Sequence, residues 1–112
     1  MNPDIAFLRH IQEAIRRVNE YTQGGEDEFF ARTLLQDAVV RNLEIIDEAT
    51  KNLSRELRDR YPAIPWRNMA GMRDVLIHNY LGVDLSTVWE VVVKRLPEVE
   101  RQIAEILDDP RG

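Results

Sequence analysis

The sequence contains no cysteine, only two histidines and no apolar run longer than a few residues. The lack of cysteine excludes disulfides and thiolate metal sites, and it favours a reducing compartment. Two histidines without cysteine also make a metal site unexpected. Apolar stretches such as Val91–Val93 are far too short to cross a membrane, and the N-terminus lacks the basic and apolar regions of a signal peptide. We therefore expect a cytoplasmic protein that needs no metal and no other cofactor.

The composition is that of an ordinary folded protein with an acidic balance. The chain has 112 residues, of which 44% are apolar and 31% are charged. These values argue against disorder and predict a single domain over residues 1–112. The net charge is −5, whereas a protein that binds nucleic acid over its whole surface is usually basic. Any nucleic acid would therefore have to meet a local basic pocket.

The spacing of apolar residues predicts four helices and no strand of any length. The first helix is predicted from Asn2 to about Gly24, the second from about Glu28 to Arg58, and the third from Pro65 or Trp66 to Gly82. The fourth begins at Asp84 or Ser86, and its apolar face includes Ile106. Asn2 is the expected cap of the first helix, and Asp84 or Ser86 that of the fourth. Short loops between the helices predict an all-α fold, an antiparallel up-and-down four-helix bundle. Pro97 lies inside the fourth helix and is expected to bend it, since proline removes a main-chain hydrogen bond.

The second predicted helix is long and carries one apolar stripe. The apolar residues recur at roughly helical spacing, so one continuous helix would place them against the core. The residues expected to be buried along it are Phe30, Leu34, Ala38, Ile46, Ala49, Leu53 and Leu57.

The stretch Arg73–Tyr80 carries the most chemical information in the chain. It places a permanent cation, a histidine and a phenol within eight positions, as Arg73, His78 and Tyr80. Arginine offers a planar set of donors to a phosphate, and histidine can accept or donate a proton near neutral pH. Cleavage of a phosphodiester without a metal would require groups of these types.

The spacing alone does not assemble a site. On a regular helix, at about 100° per residue, Arg73 and Tyr80 share a face, whereas His78 lies about 140° from Arg73. The three side chains meet only if the helix deforms near His78 or if a second subunit completes the site. The alternative interpretation is structural: Arg73 pairs with an acid such as Asp74 or Glu48, His78 is a hydrogen-bonded polar residue, and Tyr80 packs.

Three further stretches accompany this motif. Arg41–Ala49 holds an isoleucine-rich run followed by a Glu-Ala pair, Pro65–Arg73 holds Pro-Trp and Gly-Met-Arg, and Tyr80–Asp84 is followed by Val88–Trp89. Together with Arg-x-x-x-x-His-x-Tyr, they resemble HEPN-domain ribonucleases and, more narrowly, HepT-type toxins of HepT–MntA toxin–antitoxin systems. The resemblance covers nearly the whole chain. Asp47 stands where the family more usually has glycine, and no effect on the chemistry is expected from it.

The resemblance implies a metal-independent endoribonuclease that acts as a homodimer, with motifs from both subunits facing one cleft. A 2′-hydroxyl would attack the adjacent phosphate and leave a 2′,3′-cyclic phosphate and a 5′-hydroxyl. His78 would transfer a proton, to or from an oxygen that the sequence does not identify, and Arg73 would stabilise charge on the phosphate. Asp74 would orient Arg73. Arg67 is a candidate RNA contact, with a solvated helix position as its alternative.

The resemblance also implies a protein partner. In this family the motif tyrosine is similar to the target of an MntA-type nucleotidyltransferase antitoxin, which would attach AMP to Tyr80. Added phosphates beside Arg73 would occupy the arginine and repel RNA. The RNA substrate is left open between transfer RNA and messenger RNA. The rival hypothesis is a non-catalytic helical bundle that only binds a nucleotidyltransferase, which the acidic composition favours.

Overall fold

The computed structural model describes residues 2–76 and 84–109, and all secondary structure in these residues is helical. The α-helices are α1 (Pro3–Thr22), α2 (Glu26–Ala31), α3 (Thr33–Lys51), α4 (Arg55–Arg60), α5 (Trp66–Ala70), α6 (Met72–Leu76), α7 (Leu85–Glu90) and α8 (Leu96–Asp108), with a π-helical segment at Val91–Arg95 between the last two. The four predicted segments contain, in chain order, α1, then α2 to α4, then α5 and α6, and last α7 and α8. The predicted all-α antiparallel bundle is confirmed.

The core lies between α1, α3 and α8. The buried apolar residues of α1, from Leu8 to Val18, recur at three- and four-residue spacing and form one apolar face. That face packs against α3 and α8, while α3 also contacts α5 and α6. In the part of the chain that the structure describes, no helix has both the length and the apolar character to cross a membrane. Helix α3 is thus the support against which α5 and α6 are positioned.

The start of α1 is fixed to the start of α4. Asn2 caps α1 as predicted, because its side-chain oxygen accepts a hydrogen bond from the Asp4 amide at 2.9 Å. The buried carboxylate of Asp4 accepts hydrogen bonds from the amide and the hydroxyl of Ser54, at 2.8 and 2.6 Å. The Ser54 oxygen in turn accepts from the Leu57 amide at 3.1 Å and caps α4. A contact between residues 50 positions apart therefore joins the start of α1 to the start of α4.

The prediction of one helix from Glu28 to Arg58 is wrong, because the chain interrupts it at two places. Arg32 has an extended backbone, with φ −123° and ψ 107°, and separates α2 from α3. Between α3 and α4 the chain turns at residues 52–54, where Ser54 is also extended and begins the next helix. Neither interruption contains glycine or proline, so the strongest local signals of a break are missing there.

Two residues of the predicted stripe on the second helix are not buried, for different reasons. Phe30 is 40% exposed, and its neighbour Phe29 is buried instead, because the break at Arg32 separates α2 from the helix on which the stripe was based. Leu34 is 75% exposed; it precedes Ile46 by twelve residues, about 120° around a regular helix. Ala38 is buried only in part. The remaining stripe residues are buried as predicted: Ile46, Ala49, Leu53 and Leu57.

The third predicted helix is divided into α5 and α6. Gly71 lies between them, and its amide donates to the Arg67 carbonyl at 3.1 Å. Trp66 begins α5 as predicted; it is buried, and its indole nitrogen donates to the Tyr61 carbonyl at 3.0 Å. The predicted end of this helix at Gly82 lies outside the described residues. The division gives α6 a start of its own, one residue before the motif arginine.

The fourth predicted helix begins where expected, and its hydrogen-bond pattern changes before Pro97. Asp84, one of the two predicted caps, accepts hydrogen bonds from the amides of Ser86 and Thr87 at 3.0 and 3.2 Å. The disturbance expected from Pro97 takes the form of the π-helical segment Val91–Arg95, directly before α8. Proline cannot donate to a carbonyl in the preceding turn, and Pro97 occupies the first turn of α8, where no such donor is needed.

Candidate functional site

Arg73 lies in the first turn of α6 and extends into solvent. Its side chain is 64% exposed, and its Nε lies 3.8 Å from Oε2 of Glu44 on α3. An ion pair that is long and in contact with water contributes little free energy, so the guanidinium can exchange this partner for another. Arg73 therefore presents a cation on the surface where α6 meets α3.

A buried carboxylate from α3 holds the backbone of Arg73. Oδ2 of Asp47 accepts a hydrogen bond from the Arg73 amide at 2.9 Å, and the Asp47 side chain is only 4% exposed. Amides in the first turn of a helix have no partner within that helix, and Asp47 supplies one for α6. Asp47, to which the sequence pattern assigns no chemical part, thus fixes the point from which Arg73 projects. The spacing along α3 indicates the pairing of Asp47 with Lys51, but no local signal indicates the contact with Arg73, 26 residues away.

Lys51 balances the buried charge of Asp47. Its Nζ lies 2.9 Å from Oδ1 of Asp47. The hydrogen bond and the attraction of the Asp47 carboxylate raise the pKa of the lysine ammonium, and Asp74 and Glu48 add smaller attractions. Lys51 is therefore a cation at any working pH. The charge at this end of α6 is nevertheless negative on balance, because Lys51 and Arg73 are accompanied by four acids: Glu44, Asp47, Glu48 and Asp74.

Asp74, the residue expected to orient Arg73, is exposed on α6. Its amide donates to the Gly71 carbonyl at 3.1 Å. The structure describes no hydrogen bond between the Asp74 carboxylate and the Arg73 guanidinium, so the orienting contact stays a prediction. The acid that pairs with Arg73 is Glu44, rather than Asp74 or Glu48.

The other two motif residues, His78 and Tyr80, lie outside the described residues. Their approach to Arg73 stays a prediction, and the described part of the site is Arg73 with its supports on α3. Within residues 2–76 and 84–109, no three histidine or carboxylate side chains are grouped as the ligands of a metal ion would be. What this part of the site can do chemically is bind an anion through one exposed, well-anchored arginine.

Arg67, the candidate RNA contact, is exposed on α5 and lies between two open grooves. One groove, of about 950 Å³, runs along α4 and α5, and the other, of about 520 Å³, lies between α5 and the α7–α8 segment. Both reach Gly71, and the second also reaches Met72, the residue before Arg73. Arg67 is therefore on the approach to the motif arginine, although its role in binding stays a prediction.

Two relatives show how much of the chain is shared with known proteins. The chain is 40% identical over 101 residues to the "Probable ribonuclease HepT" of Thermococcus cleftensis, with 89% of this chain and 92% of that protein covered. It is 49% identical over 104 residues to the "Gamma-glutamylcyclotransferase and putative RNase" of Methanocaldococcus jannaschii, with 92% of this chain covered. The chain spans about half the length of that second relative, 47%.

A similar solved structure and a family match agree with these two relatives. The structure is similar to that of a tri-AMPylated HEPN toxin of Shewanella oneidensis solved in complex with an MNT antitoxin, with a TM-score of 0.67, 23% identity, and coverage of 97% of this chain and 100% of that chain. At this identity the similarity concerns the fold. Residues 11–106 match the family described as Ribonuclease HepT-like. The resemblance to HepT-type proteins is thereby confirmed, and the chain belongs to the Ribonuclease HepT-like family.

Proposed function

We propose that the chain is a metal-independent endoribonuclease toxin in which Arg73 and His78 carry out the cleavage of RNA. Membership of the Ribonuclease HepT-like family is the observation that carries this proposal. The exposed guanidinium of Arg73, on a backbone anchored by Asp47, supports it. A group that must meet a phosphate arriving from solvent needs both properties, exposure of its charged end and a fixed origin.

In the proposed reaction the 2′-hydroxyl of the RNA attacks the adjacent phosphorus. A bond forms between O2′ and phosphorus, the bond from phosphorus to O5′ breaks, and the products carry a 2′,3′-cyclic phosphate and a 5′-hydroxyl. One proton leaves O2′ and one joins O5′; His78 transfers one of them, which contributes roughly 10²- to 10⁴-fold to the rate. Arg73 stabilises the charge that develops on the nonbridging oxygens.

The contacts of Arg73 are consistent with its proposed task of stabilising charge on the phosphate. A phosphate that offers a short two-pronged contact can displace Glu44, because the existing pair is 3.8 Å long and exposed. During that exchange the Asp47 hydrogen bond keeps the main chain of Arg73 in place. We assign Asp74, the next residue on α6, the supporting task of restricting the guanidinium.

The proposed active form is a homodimer. A regular helix would direct Arg73 and His78 about 140° apart, and a second copy supplies another arginine and another histidine to a shared cleft. The described structure leaves three large apolar side chains exposed, which a second copy could cover: Phe30, Leu34 and Val93.

The proposed partner that neutralises the toxin is a nucleotidyltransferase antitoxin. The similar Shewanella oneidensis toxin is tri-AMPylated and is complexed with an MNT antitoxin, which supports AMPylation of Tyr80 in this chain. Nucleotide phosphates added beside Arg73 would compete with RNA for the guanidinium. Incubation with the antitoxin and ATP should add whole AMP masses to the wild type and none to Tyr80→Phe. A wild type that gains no mass would leave binding alone as the means of neutralisation.

Substitution of His78 tests the nuclease itself. His78→Ala should abolish RNA cleavage and growth inhibition, while the circular dichroism spectrum stays that of a helical protein. Cleavage at the wild-type rate by His78→Ala would remove His78 from the mechanism.

A second candidate function is a non-catalytic partner of a nucleotidyltransferase. The acidic surroundings of Arg73 favour it, since Glu44, Asp47 and Asp74 oppose the approach of RNA. A wild type that binds the nucleotidyltransferase tightly but cuts no RNA would select this function.

A further inference from the structure

Two grooves flank α5, and arginines line both. The groove of about 950 Å³ is lined by Arg55, Arg58 and Arg67. The groove of about 520 Å³ is lined by Arg67 and Arg95. Since Arg67 contributes to both, α5 forms the ridge between them. Both grooves extend to Gly71, at the start of the motif helix.

Two acids also line these grooves. Asp59 is paired with Arg55 at 3.9 Å in the first groove, and Glu90 lies in the second. Arg55 therefore already has an acidic neighbour, and the other three arginines of the two grooves pair with no acid among the described residues. We call these three the arginine track: Arg58, Arg67 and Arg95.

Most basic residues of the described structure are paired with a carboxylate, and the arginine track is not. Ion pairs within 4 Å engage eight basic residues: Arg16, Arg17, Arg32, Lys51, Arg55, Arg60, Arg73 and Arg101. Six others make no such pair with a described residue, and three of the six form the track, the rest being Arg9, Arg41 and Lys94. Half of the basic residues that make no such pair in the described structure therefore line the two grooves beside α5.

Arg58 is the partly buried member of the arginine track. Its Nε is enclosed without a hydrogen-bond partner among the described residues. Buried donors are ordinarily satisfied, because an unpaired one costs free energy. The enclosed Nε is out of reach of a ligand in the groove, but the positive charge is shared by the whole guanidinium, which would attract a negatively charged group there.

The chemistry of the grooves favours RNA phosphates over a protein partner. Protein interfaces combine arginines with exposed apolar and aromatic anchors. Apolar residues such as Met69 and Val91 do line the second groove, but the large exposed apolar side chains line neither groove as the described residues form it. The aromatic residue of the first groove, Trp66, is 7% exposed, and its indole nitrogen is bonded to the Tyr61 carbonyl. It is therefore unsuited to stacking on a base. Most contacts between proteins and nucleic acids go to phosphate and sugar, and such contacts carry no sequence information.

We propose that the arginine track binds the phosphates of RNA on both sides of α5, beside the phosphodiester that Arg73 engages. The inference rests on the proposed function, because an RNA cleaved at Arg73 is the ligand that would lie along both grooves. Gly71 and Met72 connect the track to the start of α6. Binding by the track is independent of base sequence and falls steeply with salt.

The test measures RNA binding by the full chain in a His78→Ala background, in which the RNA stays intact. Fluorescence anisotropy of labelled oligouridine and oligoadenosine is recorded over a range of salt concentrations. Arg58→Ala, Arg67→Ala and Arg95→Ala should each weaken binding of both RNAs about 2- to 5-fold, as for loss of an exposed ion pair. The triple variant should reduce the slope of the logarithm of the RNA-binding constant against the logarithm of the salt concentration by about 2. Arg9→Ala, an unpaired arginine on α1 outside both grooves, is the matched control and should bind like the parent.

The outcomes separate this inference from the proposed function. If the wild type cuts RNA and the triple variant binds it with the affinity and salt slope of the parent, the track is overturned and the nuclease stands. If the wild type neither binds nor cuts RNA, both are overturned. Loss of nucleotidyltransferase binding with RNA binding unchanged would assign the surface to a protein and overturn the track. Because Arg58 is partly buried, the exposed Arg67→Glu is a second variant, which should weaken RNA binding more than Arg67→Ala without changing the circular dichroism spectrum.

Discussion

Removal of the Asp47 carboxylate is expected to destabilise the protein and to loosen Arg73. In Asp47→Ala the Arg73 amide loses an acceptor 2.9 Å away, at a position where the Asp47 side chain is 4% exposed. A hydrogen bond to a charged group contributes about 1.5–3 kcal/mol, and a helix cap contributes about 0.5–2 kcal/mol. Since both values describe the same contact, we expect the free energy of unfolding to fall by about 2 kcal/mol.

Thermal unfolding followed by circular dichroism measures this loss. For a chain of this length, about 2 kcal/mol corresponds to a fall in Tm of roughly 8–12 °C. Asp47→Asn keeps an oxygen for the Arg73 amide but loses the charge that faces Lys51, so it should lose about half as much. Glu48→Ala, an exposed neighbour on the same helix, is the matched control and should shift Tm by no more than about 2 °C. An Asp47→Ala variant that melts with its wild type would refute the reasoning.

The same variants separate positioning of Arg73 from stability alone. At a temperature where all variants are folded, Asp47→Ala should cleave RNA about 10- to 10²-fold more slowly, because a displacement of about 1 Å at a catalytic group has effects of that size. Asp47→Asn should restore most of the rate. Hydrogen exchange at the Arg73 amide should be faster in Asp47→Ala than in the wild type. Full activity in folded Asp47→Ala would show that Arg73 does not depend on this contact.

Three further predictions follow from other contacts. Ser54→Ala removes the cap of α4 and a donor to the buried Asp4, so urea unfolding should show a loss of about 1–3 kcal/mol; an unchanged midpoint would contradict it. Leu34→Glu changes a side chain that is 75% exposed, so it should leave helicity intact and shift the proposed dimer toward monomer in sedimentation; an undiminished dimer would exclude Leu34 from the interface. Hydrogen bonds from Arg16 lower the pKa of Glu13 from 4.5 to about 2, so its contribution to stability is present above pH 4.5 and is lost as the pH falls through about 2. Glu13→Gln should therefore lower Tm slightly at pH 7 and not near pH 2, the effect being small because the pair is exposed; equal shifts at both pH values would contradict this.

The sequence predicts two helix starts that a local cap marks and misses the two breaks that lack glycine and proline. The caps at Asn2 and Asp84 are confirmed because each binds an amide only two or three residues away. The start of α4 at Ser54 has a local cap of the same kind, to the Leu57 amide three residues on, but the apolar spacing on both sides of it favours one continuous helix. The contact of Ser54 with Asp4, 50 residues earlier, is one that no local pattern contains. The break at Arg32 lacks glycine and proline, so the apolar spacing predicts a helix that continues through it, and Phe30 is exposed where that helix would bury it.

The candidate site shows the same division between residue types and their supports. Arg73 can be predicted as a site residue from the motif, because its permanent charge and its set of donors are properties of the side chain itself. Helical geometry alone disfavours Asp74 as its partner, because consecutive residues on a helix do not face each other. The choice of Glu44 depends on how α6 packs on α3, which the sequence does not show. The contact of Asp47 with the Arg73 amide joins residues 26 positions apart, and it too depends on that packing.

The most direct test of the central claim asks whether Arg73 and His78 cut RNA through its 2′-hydroxyl. The wild type is incubated in EDTA with two labelled oligonucleotides of one sequence, an RNA and its fully 2′-O-methylated counterpart, and the products are identified by mass spectrometry. The account predicts that only the RNA is cut, that its fragments end in a 2′,3′-cyclic phosphate, and that folded Arg73→Ala and His78→Ala cut neither oligonucleotide. Cleavage of the methylated oligonucleotide, or undiminished cleavage of the RNA by either variant, would contradict it.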